Sequence, residues 1–276
     1  MLLRHVPRST QSHEPAEIMI QYRIVASCLG LAVLIGACGD GPVVDGGLKP
    51  PPLNGTAFID PDVLTMQDPT ALRSVTPLGA GSRDMYDVRV GNTGTYDVWL
   101  FRAEFDDVIA IELQVNAEFD SVSAVELADL YGSRLGVLPN ILRQGVASVS
   151  IHDGDETFLA VDDGLIVHAI KGATYRDQGY LEEVLAHEAV HVSLDPAHAS
   201  SPGWLAAQES DPGFISGFAQ DYPEVEDLAE TFGVWLAARW AGDGITGFLR
   251  AVIENAVPAR LEYLDAQNFQ MYPILD

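Results

Sequence analysis

His187-Glu188-Ala189-Val190-His191 is the segment whose residue types and spacing can do chemistry. Residues four apart on an α-helix lie one turn above each other on the same face. Two imidazoles so placed can reach one metal ion. Glu188 follows the first of them and projects to one side of the pair, towards a metal-bound water. Zinc with three protein ligands keeps one position open, and water bound there has a pKa near 7. A carboxylate beside that water can take its proton and later pass it to a leaving amine. Two ligands and a general base thus fit in five residues. A satisfied core pair or a structural metal site would use two histidines as well, but would not need the glutamate.

The third ligand must come from elsewhere, and three residues compete for the role. Glu226 lies 35 residues beyond His191, in EDLAETF, a segment with helical apolar spacing through Leu228, Phe232, Trp235 and Leu236. Glu230 is four residues on and shares its face. One of the two can bind the metal while the other accepts the N–H of a ligand histidine and fixes its tautomer. The other candidates are His198 and Asp195, seven and four residues after His191.

HEAVH followed by ExxxE on a second helix resembles the gluzincin metallopeptidases, and EDLAETF is similar to the corresponding helix of the lethal-factor type. The resemblance implies zinc as cofactor, Glu226 as third ligand, Glu230 as support for a ligand histidine, and a peptide or protein as substrate. Metzincins instead place a third histidine six residues after the second, following a glycine. Here those positions hold Ala197 and Leu194, which counts against His198 as a ligand. Tyr222 and His198 are candidates for stabilising a tetrahedral oxyanion, a role that tyrosines or histidines fill in gluzincins. The order of elements over roughly residues 57–240 also resembles secreted peptidase-like proteins, without indicating a substrate.

These residues need a frame. Residues 180–195 (YLEEVLAHEAVHVSLD) have an apolar side formed by Leu181, Val184, Leu185, Ala189 and Val192, with Gly179 before the start and Asp195-Pro196 at the end. Upstream the pattern is strand-rich. MYDVRV and TYDVWLFRAEF flank Gly91-Asn92-Thr93-Gly94, a hairpin signal, and VIAIELQV follows. Residues 122–135 have helical spacing. VASVSI, TFLAV and LIVHAI are further strand candidates, with a turn at His152-Asp153-Gly154-Asp155. His152 and His168 are read as packing residues, and Trp204, Trp235 and Trp240 as core. From Tyr180 the chain reads helical to its end. Strands first and helices later imply an α+β body. The resemblance sharpens this to a zincin-like fold: a mixed sheet, an active-site helix, and a mostly helical C-terminal part. In zincins an edge strand before that helix pairs with extended substrate, and TFLAVDDGLIVHAI stands at that place in sequence. The expected organisation is a signal segment over 1–37, a lipidated cysteine and flexible linker over 38–55, a β-rich part over 56–118, and the catalytic part over 119–276.

The N-terminus addresses the protein. Ile24–Ala37 (IVASCLGLAVLIGA) is apolar, uncharged and too short to span a membrane comfortably. Arg23 precedes it, and Met19 is the expected start. Ile35-Gly36-Ala37-Cys38 resembles a bacterial lipobox, which implies cleavage before Cys38 and a diacylglycerol on its thiol. Cys28 would leave with the signal, so the exported chain would carry no free thiol and no intramolecular disulfide. Such a lipid anchors a chain without a basic patch, placing the protein at the bacterial cell envelope.

The charge fits. The chain has 40 acidic residues against 15 basic ones, which argues against nucleic acid as partner because phosphates would be repelled. Removing residues 1–37 takes away three basic residues and two acidic ones, leaving 12 against 38. A non-catalytic zinc-binding surface lipoprotein, used for adhesion or binding, is the alternative function. A direct consequence of the anchor can be checked. Cys38→Ala is expected to abolish incorporation of labelled palmitate and to release the protein from the membrane fraction; retained label would refute the lipid site.

Overall fold

A computed structural model describes residues 48–57, 63–107, 109–241 and 244–274. The signal segment, Met19 and Cys38 lie outside the described residues. The body is α+β, built on one mixed six-stranded sheet in the order β1-β2-β3-β4-β6-β5. Strands β1 (Leu72–Asp87), β2 (Asn92–Phe105) and β3 (Ala110–Asn116) form an antiparallel meander. Strands β4 (Ser148–His152) and β6 (Gly164–His168) continue parallel to β3, and the short β5 (Leu159–Val161) closes the far edge antiparallel to β6. The pairing of β3 with β4 carries the sheet across residues 118 and 119, so the β-rich part and the helical part share one sheet and one core.

Helix α1 (Ser121–Val137) begins where the Asp120 side chain accepts the amides of Val122 and Ser123. It lays Ala124, Ala128, Tyr131 and Leu135 on the sheet. The short α2 (Asn140–Arg143) follows. Helix α3 (Ala169–Gln178) was not expected: LIVHAI leaves the sheet after His168, and Ala169 and Ile170 already belong to the helix. Only Gly172 and Tyr175 of α3 are buried, too few to show a helical period. Gly179, at φ 78°, ends α3 in the left-handed conformation that glycine adopts without strain. The chain then turns directly into α4 (Leu181–Ser193).

Helix α4 is the hub. It packs against α1, α2, α3, β5 and β6, and against the later helix Asp227–Trp240. Leu181, Leu185 and Ala189 are fully buried. Glu182 and Glu183 sit in its first turn, where the helix dipole favours negative charge. The chain continues through α5 (Asp195–His198), α6 (Pro202–Ser210), α7 (Gly217–Asp221), α8 (Asp227–Trp240), α9 (Gly247–Ala256) and α10 (Pro258–Ala266). Helix α8 is buried on nearly all sides, Trp235 included. Trp204 is buried as well, and Trp240 is half-buried with its ring edge on Trp235. Among the described residues no helix is long and apolar enough to cross a membrane.

Two local expectations are corrected. The β1–β2 turn uses Val88–Gly91, not Gly91–Gly94, and Asn92 already pairs with Asp87. Arg89 folds back to bond Asp87, Glu118 and the Asp153 carbonyl, and Gly91 supplies the positive φ. The linker expected over 38–55 also ends early. Residues 49–55 run parallel to 213–217: Lys49 N–H donates to the Pro212 carbonyl at 2.7 Å, Leu53 N–H to the Ile215 carbonyl at 3.3 Å, and Gly217 N–H to the Leu53 carbonyl at 2.9 Å. Between its prolines this segment still offers amides as well as carbonyls, and the pairing uses both.

His152 closes β4 instead of starting a turn, and it stacks on His168 with both rings fully buried. Burial pushes His152 down to about 4, with Asp87 opposing and Arg89, His168 and Glu118 nearby. His168 is also pushed down by burial. Asp87, held at about 2 mainly by its hydrogen bond to Arg89, stays charged throughout that range. The unfolded chain takes up a proton on His152 near its ordinary 6.5, whereas the folded protein resists. The stability from this group is therefore full above pH 6.5 and is lost as pH falls towards 4, by up to about 3 kcal/mol. Unfolding free energy measured between pH 7 and 4 should fall less steeply in His152→Asn than in the wild type; equal slopes would contradict the assignment.

Candidate metal centre

One turn of α4 separates His187 from His191, and their rings meet edge to face with centroids 5.0 Å apart. Glu226 arrives at the N-cap of α8 with helical backbone angles, its amide donating to the Tyr222 carbonyl at 2.8 Å. The three side chains put one donor atom each around a common point. His187 Nε2 is 3.2 Å from Glu226 Oε2 and 3.3 Å from His191 Nε2, and the third side of the triangle is 3.4 Å. A tetrahedral zinc with bonds of about 2.0–2.1 Å sets its ligand atoms about 3.3–3.4 Å apart. The donor set of two imidazole nitrogens and one carboxylate oxygen therefore fits zinc in size and in chemistry. Among the described residues these three form the one group of histidine, cysteine, aspartate or glutamate so assembled.

The far ring nitrogens face carboxylates. His191 Nδ1 lies 2.7 Å from Asp195 Oδ2, which fixes the tautomer that leaves Nε2 free to bind. Asp195, weighed from the sequence as a third ligand, contacts the far nitrogen of His191 and is not part of the triangle. His187 Nδ1 lies 3.6 Å from Glu230 Oε1, beyond hydrogen-bond length but directly opposed. That oxygen is buried and has no hydrogen-bond partner, while Oε2 of the same carboxylate accepts from Ala57 N–H and Ser216 O–H, both at 2.6 Å.

Glu188 stands on α4 beside this triangle. The Ala160 backbone of β5 lies near its carboxylate and favours the ionised form, as do His187 and His191, while Glu226 opposes it. Burial raises its pKa. Burial also pushes Glu230 up to about 7. Glu226 goes the other way: burial opposes ionisation, yet the hydrogen bonds of both histidines hold it at about 2. His191 is driven well above its ordinary value despite burial, first by Asp195 and then by Glu226. Four carboxylates thus converge on two imidazoles, and the field at their centre favours a cation.

His198 Nδ1 bonds the Tyr263 hydroxyl at 2.7 Å and its ring packs edge-on to Phe269, so it does not join the triangle. Tyr222 precedes Glu226 in the loop, its ring edge on Phe218. Reasoning from sequence missed the Ala160 backbone and Ser216, because main-chain groups and a lone serine leave no pattern.

No family model, curated protein or solved structure matches the chain, so the site stands on its own geometry. If Asp195 orients His191, Asp195→Ala should weaken zinc binding about 10- to 100-fold, read by competition with a chromophoric chelator. An unchanged affinity would show that the contact does not support the site.

Proposed function

We propose that this protein is a zinc-dependent peptidase of gluzincin type with a zincin-like fold, held at the bacterial cell envelope by a lipid on Cys38. The observation that carries the reading is the triangle of His187 Nε2, His191 Nε2 and Glu226 Oε2, with sides of 3.2–3.4 Å and Glu188 beside it. His187, His191 and Glu226 would hold the ion. When bound there, zinc supplies a Lewis acid for the scissile carbonyl and lowers the pKa of a water in the open position.

The chain's own groups do the rest. Glu188 takes the proton of the attacking water on its carboxylate and returns it to the leaving amine, so it is ionised when the cycle begins and ends. Asp195 keeps His191 in one tautomer and orientation. Among the described residues β5 is an edge strand paired with β6 alone, the kind of strand to which an extended peptide can add through main-chain hydrogen bonds. Ala160 on that strand lies close to Glu188, which supports a role for β5 in holding a peptide beside the base.

Peptide-library cleavage by the wild type, compared with Glu188→Gln, tests this. The variant should lose about 10²- to 10⁴-fold in rate while retaining one zinc per chain, and a zinc chelator should abolish wild-type cleavage. Bound zinc without any cleavage by the wild type would favour the non-catalytic zinc-binding protein instead; cleavage indifferent to chelator would sink the metal mechanism.

A further inference from the structure

We propose that the N-terminal strap, residues 48–57, is a positioning element of the metal site, acting on His187 through Ser216 and Glu230. The inference rests on the zinc reading above and assigns a role to a segment that the sequence presents as mere tether.

The geometry forms one chain of contacts. The strap is laid down by parallel pairing with 213–217, from the Lys49–Pro212 bond at one end to Phe218 N–H on the Gly55 carbonyl, 3.1 Å, at the other. The approach at Gly213 is so close that a Cβ there would stand 2.6 Å from the Lys49 carbonyl oxygen. Beyond the last pairing, Ala57 N–H donates to Glu230 Oε2 at 2.6 Å. Ser216, in the segment the strap pairs with, donates its hydroxyl to that same oxygen, also at 2.6 Å, and accepts the Ala219 amide at 3.1 Å. Ser216 is fully buried and Glu230 nearly so. Two donors therefore fix one carboxylate oxygen and turn the other to His187 Nδ1 at 3.6 Å. A carboxylate opposed to the far nitrogen of a ligand imidazole sets the ring's orientation and its strength as a donor. Here that carboxylate is held by a segment that begins ten residues after Cys38. The stretch between the expected lipid and the body is thus short, and its far end is a strut of the site.

A double-mutant cycle on the full chain tests this, with zinc affinity as the readout and thermal unfolding alongside. Ser216→Ala removes one donor to Glu230. Gly213→Val forces the strap away at Lys49, far along the chain from Glu230. Each should weaken zinc binding about tenfold or more. Neither should weaken it further in a Glu230→Gln background, where the charge facing His187 is already gone. A structural role alone would lower the melting temperature and leave zinc affinity within twofold. That result, or losses that add fully to Glu230→Gln, would overturn the proposal. Hydrogen exchange at the Ala57 amide reads the same link in zinc-free protein: Glu230→Ala should deprotect it more than tenfold, and unchanged protection would refute the strap's attachment. If the wild type takes up no zinc, the peptidase reading fails, and the exchange result still decides the strap.

Discussion

Four carboxylates, those of Glu188, Asp195, Glu226 and Glu230, surround two imidazoles in a pocket whose ligand side chains are only 12–14% exposed. Moving charges out of water costs several kcal/mol each unless they are paired and hydrogen-bonded. The rest of the structure is arranged around that constraint. Three have a partner in contact, Asp195 the His191 Nδ1, Glu226 both Nε2 atoms, and Glu230 the Ala57 amide with the Ser216 hydroxyl, while Glu188 has the Ala160 backbone and both imidazoles nearby. A divalent cation at the centre of the triangle would offset the remaining negative charge.

Two helices carry the constellation, and their placement is fixed by buried groups away from it. Helix α8 presents Glu226 at its N-cap, and Asp227, the next residue, is locked to Arg260. Arg260 is fully buried and also bonds Asp211 at 2.8 Å and the Gly213 carbonyl, with its guanidinium 4.8 Å above the Phe214 ring. Gln208 adds a bond to Asp227 at 2.9 Å. This network pins the 211–216 loop and the start of α8 together, and the strap lies on that same loop. Helix α4 is steadied from the other side. Glu183 accepts the amides of Val63 and Leu64, and Glu182 pairs with Arg134 of α1. Neither helix can shift without disturbing a buried ion pair or the sheet contacts of α4.

Much of this was legible in the sequence because it is periodic. The apolar stripe of α4 and the i, i+4 spacing of both HEAVH and EDLAE bring the right side chains to one face. The alternating strands β2 and β3, the α1 stripe and the α+β order are also found where period and turn residues indicate. The failures share a cause. Helix α3 buries two residues and leaves no stripe, so it merges in the sequence with β6. The β1–β2 turn falls at Val88–Gly91, where Gly91 takes the positive φ and Arg89 bonds Asp87 and Glu118, contacts that the local Gly-Asn-Thr-Gly signal does not reveal. The strap has no side-chain period at all, since it docks through carbonyls and a few amides. Asp195 was visible as a neighbour of His191, but spacing does not say which ring nitrogen it meets.

Zinc held as proposed would meet two histidines, one carboxylate and one further light atom, with no sulfur, since both cysteines precede the body. X-ray absorption at the zinc edge of the zinc-loaded protein reads that shell directly. The expected result is four nitrogen or oxygen neighbours at about 2.0–2.1 Å, with the outer-shell scattering of two imidazoles. A six-oxygen shell, or the scattering of fewer than two imidazoles, would contradict it.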